Sequence, residues 1–546
     1  SQVTYESKTE TCTLVENSAE AVTWTAGWYA VSGTVTIDQP ITVTDAVNLI
    51  LTDGCTLTAA KGIVVTDGNS LTIYAQSKNG GTLNATGMTD DSGNASAGIG
   101  GSTSSLDSGA ITIHGGVINA TGGSTGSSGY GGAGIGGGTS KSANGGSSGA
   151  ITIYGGTVTA NSGAGNITGA GIGGGAGDNV GGSGNDITIY GGSVTASSTG
   201  TGNGGAGIGG GGGLTGGGAG NNIQIYGGTI NATGGNLGAG IGGGSCSADL
   251  YSYYKSGDGT VTISGGEVTA IGGNYAAGIG GGGGHIGSYG LNVTGGTGSV
   301  TISGGIVDAS SPTDVYWTGY EGAPIGNGGN TTAAATVSKT TGIIFENGVG
   351  TVCGNVTFDG SYPVPADYTL NIPVGASLSG SGTLSGGGTF TTENLTADMI
   401  SVPTNLYYDG KDRTEYLTTE LSGELDKGIT ICGQTFTVSG WTVAVSRTDD
   451  LHYTATYTND SDDTKTVQKT ITLLQSGTKF EGGIKTYNGE TETTSFTADD
   501  TITVKATPTA TGEAPANSAM FAASFTGPGA GQMAVFVGDT QVSAPA

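Results

Sequence analysis

Ile151-Thr152-Ile153-Tyr154-Gly155-Gly156-Thr157-Val158-Thr159-Ala160, followed after a short loop by Ala170-Gly171-Ile172-Gly173, is one copy of a pattern that recurs from about Leu71 to Asp308. Its opening triplet returns as Leu71-Thr72-Ile73, Ile111-Thr112-Ile113, Ile187-Thr188-Ile189, Ile223-Gln224-Ile225, Val261-Thr262-Ile263 and Val300-Thr301-Ile302, spaced 36 to 40 residues apart. Its closing tetrapeptide is centred on Ile99, Ile135, Ile172, Ile208, Ile241 and Ile279, with a variant at Ala323-Pro324-Ile325-Gly326. Self-similarity at a fixed period marks a solenoid.

Each copy reads as one coil with three short faces. In Ile151-Thr152-Ile153-Tyr154 apolar and polar residues alternate, which is strand periodicity. Gly155-Gly156 turns the chain, because Gly takes positive φ without strain. Val158 and Ile172 then point inward from the second and third faces. Two core columns follow: Ile111, Ile151, Ile187, Ile223, Val261 and Val300, and beside them Ile118, Val158, Val194, Ile230, Val268 and Val307. Strands stacked in parallel lie about 4.8 Å apart, so seven coils give a rod of roughly 30 Å. No repeat carries a 3.6-residue apolar period, which excludes a helix-based crossover fold. The expected fold is all-β: a right-handed parallel β-helix followed by β-sandwich modules.

Composition agrees. Gly supplies 115 of 546 residues, but in register with the strands, unlike a disordered linker. The net charge of −27, with six Lys and no Arg before Lys411, repels nucleic acid and anionic lipid. No stretch approaches the length of an apolar membrane span, so membrane insertion is not expected. Five widely spaced Cys without a Cys-x-x-Cys pair argue against zinc. The chain starts at Ser1 without a signal-like segment, as a mature secreted product does. Low Cys and Met with abundant Thr, Gly and Asn read as an extracellular or cell-surface protein.

Four divisions are expected. Residues 1–60 read as an N-terminal segment and cap, with Trp24 and Trp28 covering the open end of the core; 61–400 as the solenoid; 401–480 as an Ig-like sandwich. Residues 481–546 read as a second, shorter Ig-like module, to be completed either by further sequence of a longer protein or by another chain. The second and third divisions meet near Ser401-Val402-Pro403, where charge rises and Gly falls.

The run Gly27-Trp28-Tyr29-Ala30-Val31-Ser32-Gly33, the turn Asn48-Leu49-Ile50-Leu51-Thr52-Asp53-Gly54 and the repeated unit resemble glycine-rich surface proteins of Gram-positive gut bacteria. Some of these are loosely labelled carbohydrate-binding. Thr501-Ile502-Thr503-Val504 and Met533 to Asp539 are similar to the bacterial Ig-like modules that follow such repeats. The resemblance spans roughly residues 20–400. It implies an architecture and brings no catalytic motif.

Several constellations bear on function. The column Tyr74, His114, Tyr154, Tyr190, Tyr226, continued by Ser264 and Ser303, is either a platform for sugar rings or a stacking ladder that fixes register. Three loops depart from the Gly/Ser/Asn background and supply the ligand-binding candidates: Tyr251, Tyr253 and Tyr254; His285 and Tyr289; Tyr316, Trp317 and Tyr320. Aromatic side chains on loops of a rigid scaffold are common recognition anchors. No catalytic set is assigned. The nearest approach to one is Glu267 with Asp308, on the same outward face of adjacent coils and offset by two positions, hence roughly 7–8 Å apart and within the range of an inverting glycosidase. No metal set is assigned either. Gly181-Gly182-Ser183-Gly184-Asn185-Asp186 matches one calcium β-roll repeat, and Asp460 with Asp462 sits in an acidic turn, so calcium is the single cofactor the sequence admits. The outward Thr array is too broken for ice binding.

The resulting expectation is a secreted or cell-surface adhesin or stalk whose partner is a glycan or a host surface protein. The competing readings are a structural spacer or fibre subunit that self-associates through its chain ends, and a polysaccharide-degrading enzyme on a parallel β-helix.

Overall fold

The computed structural model describes residues 11–77, 80–126, 129–246, 254–284, 293–312, 320–404, 406–408, 411–475, 478–488, 491–492, 502–510, 534–537 and 540–543. It divides into two compact units, Ser1–Thr391 with Ile431–Gln434, and Thr392–Thr430 with Thr435–Ala546. The expected boundary at 400/401 therefore lies at 391/392.

The first unit is a parallel β-solenoid with three stacked sheets. The first sheet runs from Cys12–Leu14 through Ile151–Ile153 to Thr336–Lys339, and the second from Thr34–Ile37 through Thr157–Asn161 to Gly342–Glu346 and beyond. The third runs from Val22–Trp24 through Ile172–Gly173 to Ile325–Gly326. Both core columns form in register: Ile111 pairs with Ile151 and Ile151 with Ile187, while Ile118 pairs with Val158 and Val158 with Val194. The third column pairs Ile99, Ile135, Ile172, Ile208, Ile241, Ile279 and Ile325 in succession. These Ile and Val side chains are buried. In the first two columns each takes the inward position of a pleat whose outward neighbour is polar, mostly Thr or Asn, and in the third each Ile is followed by Gly, so one continuous core fills the rod.

Residues 1–60 differ from expectation. Cys12–Leu14, Gly27–Val31 and Ala46–Leu51 are already strands of the first sheet, in register with Ser70–Ala75. These coils lack glycine loops. Val22, Ile41 and Ile63 occupy equivalent positions only 19 and 22 residues apart, so a 36–40-residue template passes over them. Trp24 lies in the terminal strand of the third sheet, where it is buried and stacks on Tyr29 at 5.2 Å.

Glycine does more than turn the chain. Gly100, Gly136, Gly173, Gly209, Gly242, Gly280 and Gly326 share φ between +131° and +138°. Beside them lies a zigzag of backbone hydrogen bonds between successive coils. Gly146 N donates to Gly138 O, Gly175 to Gly146, Gly182 to Gly175, Gly211 to Gly182, and the series continues to Gly328 on Gly296, every bond 2.8–2.9 Å. A Cβ on Gly182 would lie 1.8 Å from Gly146 O. Only bare backbone allows this approach, which satisfies amides that a loop would otherwise leave buried and unpaired.

After Gly342–Glu346 the chain reverses into Val349–Cys353, an antiparallel pairing. Short parallel strands follow, Asn355–Thr357 on Ser377–Ser379 and Ser361–Pro363 on Thr383–Ser385.

The second unit corrects the sandwich expected at 401–480. Thr414–Asp426 is a 13-residue helix. Its Leu417 and Leu421 are buried, with Leu425 packed at the edge, among Trp441, Val445, Tyr453, Tyr457 and Ile471 of an antiparallel three-stranded meander, Trp441–Arg447, His452–Asn459 and Asp462–Thr472. A leucine every four residues is a helical stripe, so the meander's apolar face is covered by a helix and not by a second sheet. The described strands from Thr478 to Ser543 form one five-stranded sheet. Among the described residues no helix is long and apolar enough to cross a membrane.

Candidate binding surface

The aromatic column is a ladder. Tyr74 and His114 stack at 4.7 Å with 4° between planes, His114 and Tyr154 at 4.7 Å and 4°, Tyr154 and Tyr190 at 4.9 Å and 5°, Tyr190 and Tyr226 at 5.1 Å and 9°. On the N-terminal side the column passes to Ile50, and Trp28, two coils away in the column of Asn48 and Thr72, leans across to within 5.3 Å of Tyr74 at 31°. The spacing equals that of the strands beneath, so the rings are held parallel by the sheet register. Tyr154, Tyr190 and Tyr226 are 38 %, 47 % and 45 % exposed. Inside the ladder, however, each ring's two faces are covered by its neighbours, and solvent meets ring edges and hydroxyls. A sugar stacks on a ring face, so the interior rungs fix register and offer no platform. His114 sits between two rings; burial lowers its pKa, and its Nδ1 is buried with no hydrogen-bond partner.

Of the ligand-binding candidates, Tyr251, Tyr253, His285, Tyr289, Tyr316 and Trp317 lie outside the described residues. Tyr254 is in the short strand Tyr254–Lys255, which pairs with Val293–Thr294. Tyr320 is half-buried and lines a depression of about 320 Å³ with Glu321, Ala323, Asn327, Thr331 and Thr332. The scaffold below it is fixed by side-chain amides. Asn327 accepts from Gly298 N at 2.9 Å and donates to Ala333 O at 2.6 Å, while Asn330, at φ +56°, donates to Val293 O at 2.7 Å. The lining thus sets one aromatic residue beside two threonines and the carboxylate-bearing Glu321 on a rigid base.

Elsewhere loops pack on one another. Tyr130, buried with Ile167 and Ala176, donates its hydroxyl to Asp178 Oδ1 at 2.6 Å.

Glu267 and Asp308 occupy the expected positions: Thr269 pairs with Asp308, so Glu267 stands two residues away on the adjacent strand. Their setting is not an open groove. Asp308 is in register with Phe345, a fully buried residue whose ring lies 5.7 Å from Tyr362 and 5.5 Å from Tyr368. Tyr368 donates to Asp308 Oδ2 at 3.0 Å, and Oδ1 is buried without a partner. Burial raises the Asp308 pKa, and burial beside this carboxylate pushes Tyr368 up to about 12. The strands after Cys353 thus roof the outward face, and the space that sugar and water need beside Asp308 is filled by phenols. Alternation along one strand does not register a second layer.

The calcium candidates are used structurally. Gly182 and Gly184 are close-approach glycines, and Asp186 is a corner residue at φ +50° whose Oδ1 accepts from Asn222 Nδ2 at 2.6 Å. Asp460 and Asp462 belong to a hairpin turn in which Asn459 accepts from the amides of Ser461 and Asp462. Asp462 accepts from Thr464 at 2.6 Å. Among the described residues no three His, Cys, Asp or Glu side chains converge as a metal site would require, and Cys55, Cys246, Cys353 and Cys432 form no disulfide.

A family model described as a beta helix repeat matches residues 79–103, 151–176, 187–212, 223–245 and 261–283. These stretches are coils of the solenoid. Neither a curated protein nor a solved structure matches the chain.

Proposed function

We propose that this chain is a secreted or cell-surface rod that binds neutral glycans, an adhesin or stalk and not a catalyst. The observation that carries the reading is the depression at Tyr320, where an aromatic side chain meets Thr331 and Thr332 above a base pinned by Asn327 and Asn330. The net charge of −27 disfavours acidic glycans and nucleic acid as partners. The hydrolase reading loses support because Asp308 is roofed by Tyr368. A structural spacer is the second reading, favoured by the ladder, whose interior rings spend their faces on one another. Retention on a glycan array separates the two: a binder is retained on neutral glycans and Tyr320→Ala weakens that signal at least fivefold, whereas a spacer is retained on none.

A further inference from the structure

The ladder stops in the middle of the rod. After Tyr226 the same column holds Ser264, Ser303 and Thr340 in three successive coils. Their backbone amides repeat one bond, Tyr226 N to Ile189 O, Ser264 N to Ile225 O and Ser303 N to Ile263 O at 2.8 Å, and Thr340 N to Ile302 O at 2.9 Å. The positions are equivalent, and only the side chains change from rings to hydroxyls. Tyr226 is therefore covered on one face by Tyr190, and its other face looks over a ledge one ring deep per coil. Ser264, Ser303 and Thr340 are exposed on that ledge, and Ser303 Oγ donates to Ser264 Oγ at 3.2 Å. The corner beside it carries no loop of its own, only the turns Gly227-Gly228, Gly265-Gly266 and Gly304-Gly305.

The terminal ring is also the one that is tethered. Tyr226 donates its hydroxyl to Gln224 Oε1 at 2.6 Å, Gln224 donates to Asn222 Oδ1 at 2.7 Å, and Asn222 to Asp186 Oδ1 at 2.6 Å. Gln224 stands where the coils on either side have Thr188 and Thr262. Tyr74, Tyr154 and Tyr190 have no such bond among the described residues. Tyr226 has one stacking partner instead of two, and the relay anchors its hydroxyl while its ring stays within 9° of Tyr190.

We infer that the open face of Tyr226, with the Ser264–Ser303 ledge, is a second binding site, and that its occupant is a neutral pyranose ring. A pyranose has an apolar C–H face that suits the negative face of a phenol ring, a thickness close to the roughly 4.8 Å coil spacing, and equatorial hydroxyls that reach the serine floor. The next rung of the ladder is then supplied by the sugar. This inference rests on the glycan-binding reading and adds a site separate from the Tyr320 depression.

The test uses the full chain carrying Tyr320→Ala, so that the depression contributes nothing, on a printed array of neutral hexose, N-acetylhexosamine and fucosylated oligosaccharides with sialylated counterparts. Residual retention on neutral glycans is expected. Adding either Tyr226→Ala, which removes the platform, or Ser264→Tyr, which extends the ladder and fills the ledge, should weaken it at least tenfold. Adding Tyr154→Ala, a rung with both faces covered, should change it less than twofold. Thermal melts confirm that each variant is folded. Residual retention that survives Ser264→Tyr, or its absence once Tyr320 is removed, overturns the ledge and leaves the glycan reading standing. A wild-type chain retained on no glycan overturns both.

Discussion

The hydroxyl of Tyr368 donates to Asp308 Oδ2 at 3.0 Å, across 60 residues of chain, and closes a roof over a carboxylate that strand alternation places on the outside. Its partner oxygen Oδ1 has no bond. Burial raises the Asp308 pKa, so the native state favours the protonated acid more than the unfolded chain does. Below the ordinary aspartate range near pH 3.9 the group is neutral in both states and costs nothing; as pH rises through the raised native value, the cost of the buried charge appears in full. Asp308→Asn is expected to stabilise the solenoid at pH 7.5 by up to about 1 kcal/mol and to have no effect near pH 3.5, in denaturant melts of the two proteins at both pH values.

His114 titrates in the opposite sense. Its pKa is lowered by burial between two rings, so stability is unaffected above the ordinary value of 6.5 and is lost as pH falls from there through the lowered native value. His114→Tyr, which keeps the ladder and removes the titration, should melt like the wild type at pH 8 and above it at pH 5. A wild type that is equally stable at both pH values would mean that stacking on Tyr74 and Tyr154 shelters the imidazolium.

Tyr154 stacks on both sides, at 4.7 Å and 4.9 Å. Aromatic pairs contribute about 0.5–1.5 kcal/mol each, so Tyr154→Ala should cost about 1–3 kcal/mol although the residue is exposed. Tyr154→Phe should cost almost nothing, since the hydroxyl makes no bond among the described residues. Equal losses in the two variants, measured by denaturant unfolding, would count against stacking.

Two glycines should respond in opposite directions to alanine. At Gly182 a Cβ would meet Gly146 O at 1.8 Å, and the coil must open to admit it, a loss of more than about 3 kcal/mol. At Gly423, inside the helix Thr414–Asp426, a Cβ meets nothing within 4 Å. Replacing that glycine should gain about 0.5–1 kcal/mol. Hydrogen exchange would read the two separately, through amide protection in the glycine zigzag and in the helix.

The solenoid was legible because Ile151, Val158 and Ile172 repeat at matched positions, and a column of identical residues leaves little freedom of register. The ladder was legible for the same reason. What escaped is what repeats with another period or does not repeat. The coils around Val22 and Ile41 lack loops and so lack the period. The stripe Leu417, Leu421, Leu425 was present, yet Thr and Glu around it masked its helical spacing. The roof over Asp308 depends on Phe345 and Tyr368, far along the chain, and no local pattern announces it. The glycine zigzag was visible only as composition, since glycines have no side chain whose periodicity could be read.

That zigzag sets how the rod can vary in length. Each coil offers its neighbour the same bare backbone, as Gly182 does to Gly211 and Gly146 to Gly175, so the joint between two coils holds no information about which coils they are. Removing or copying a whole coil, such as the 36 residues from Ile187 to the residue before Ile223, keeps the glycine joint, although it cuts coil-specific bonds such as that of Asn222 with Asp186. Removing one residue from within a strand shifts its side chains to the opposite face, whereas the loops absorb such changes, as the 36-to-40-residue spacing of the coils shows. The solenoid is thus a ruler graduated in steps of about 4.8 Å, in which adding or removing a coil changes length without changing the joint between coils.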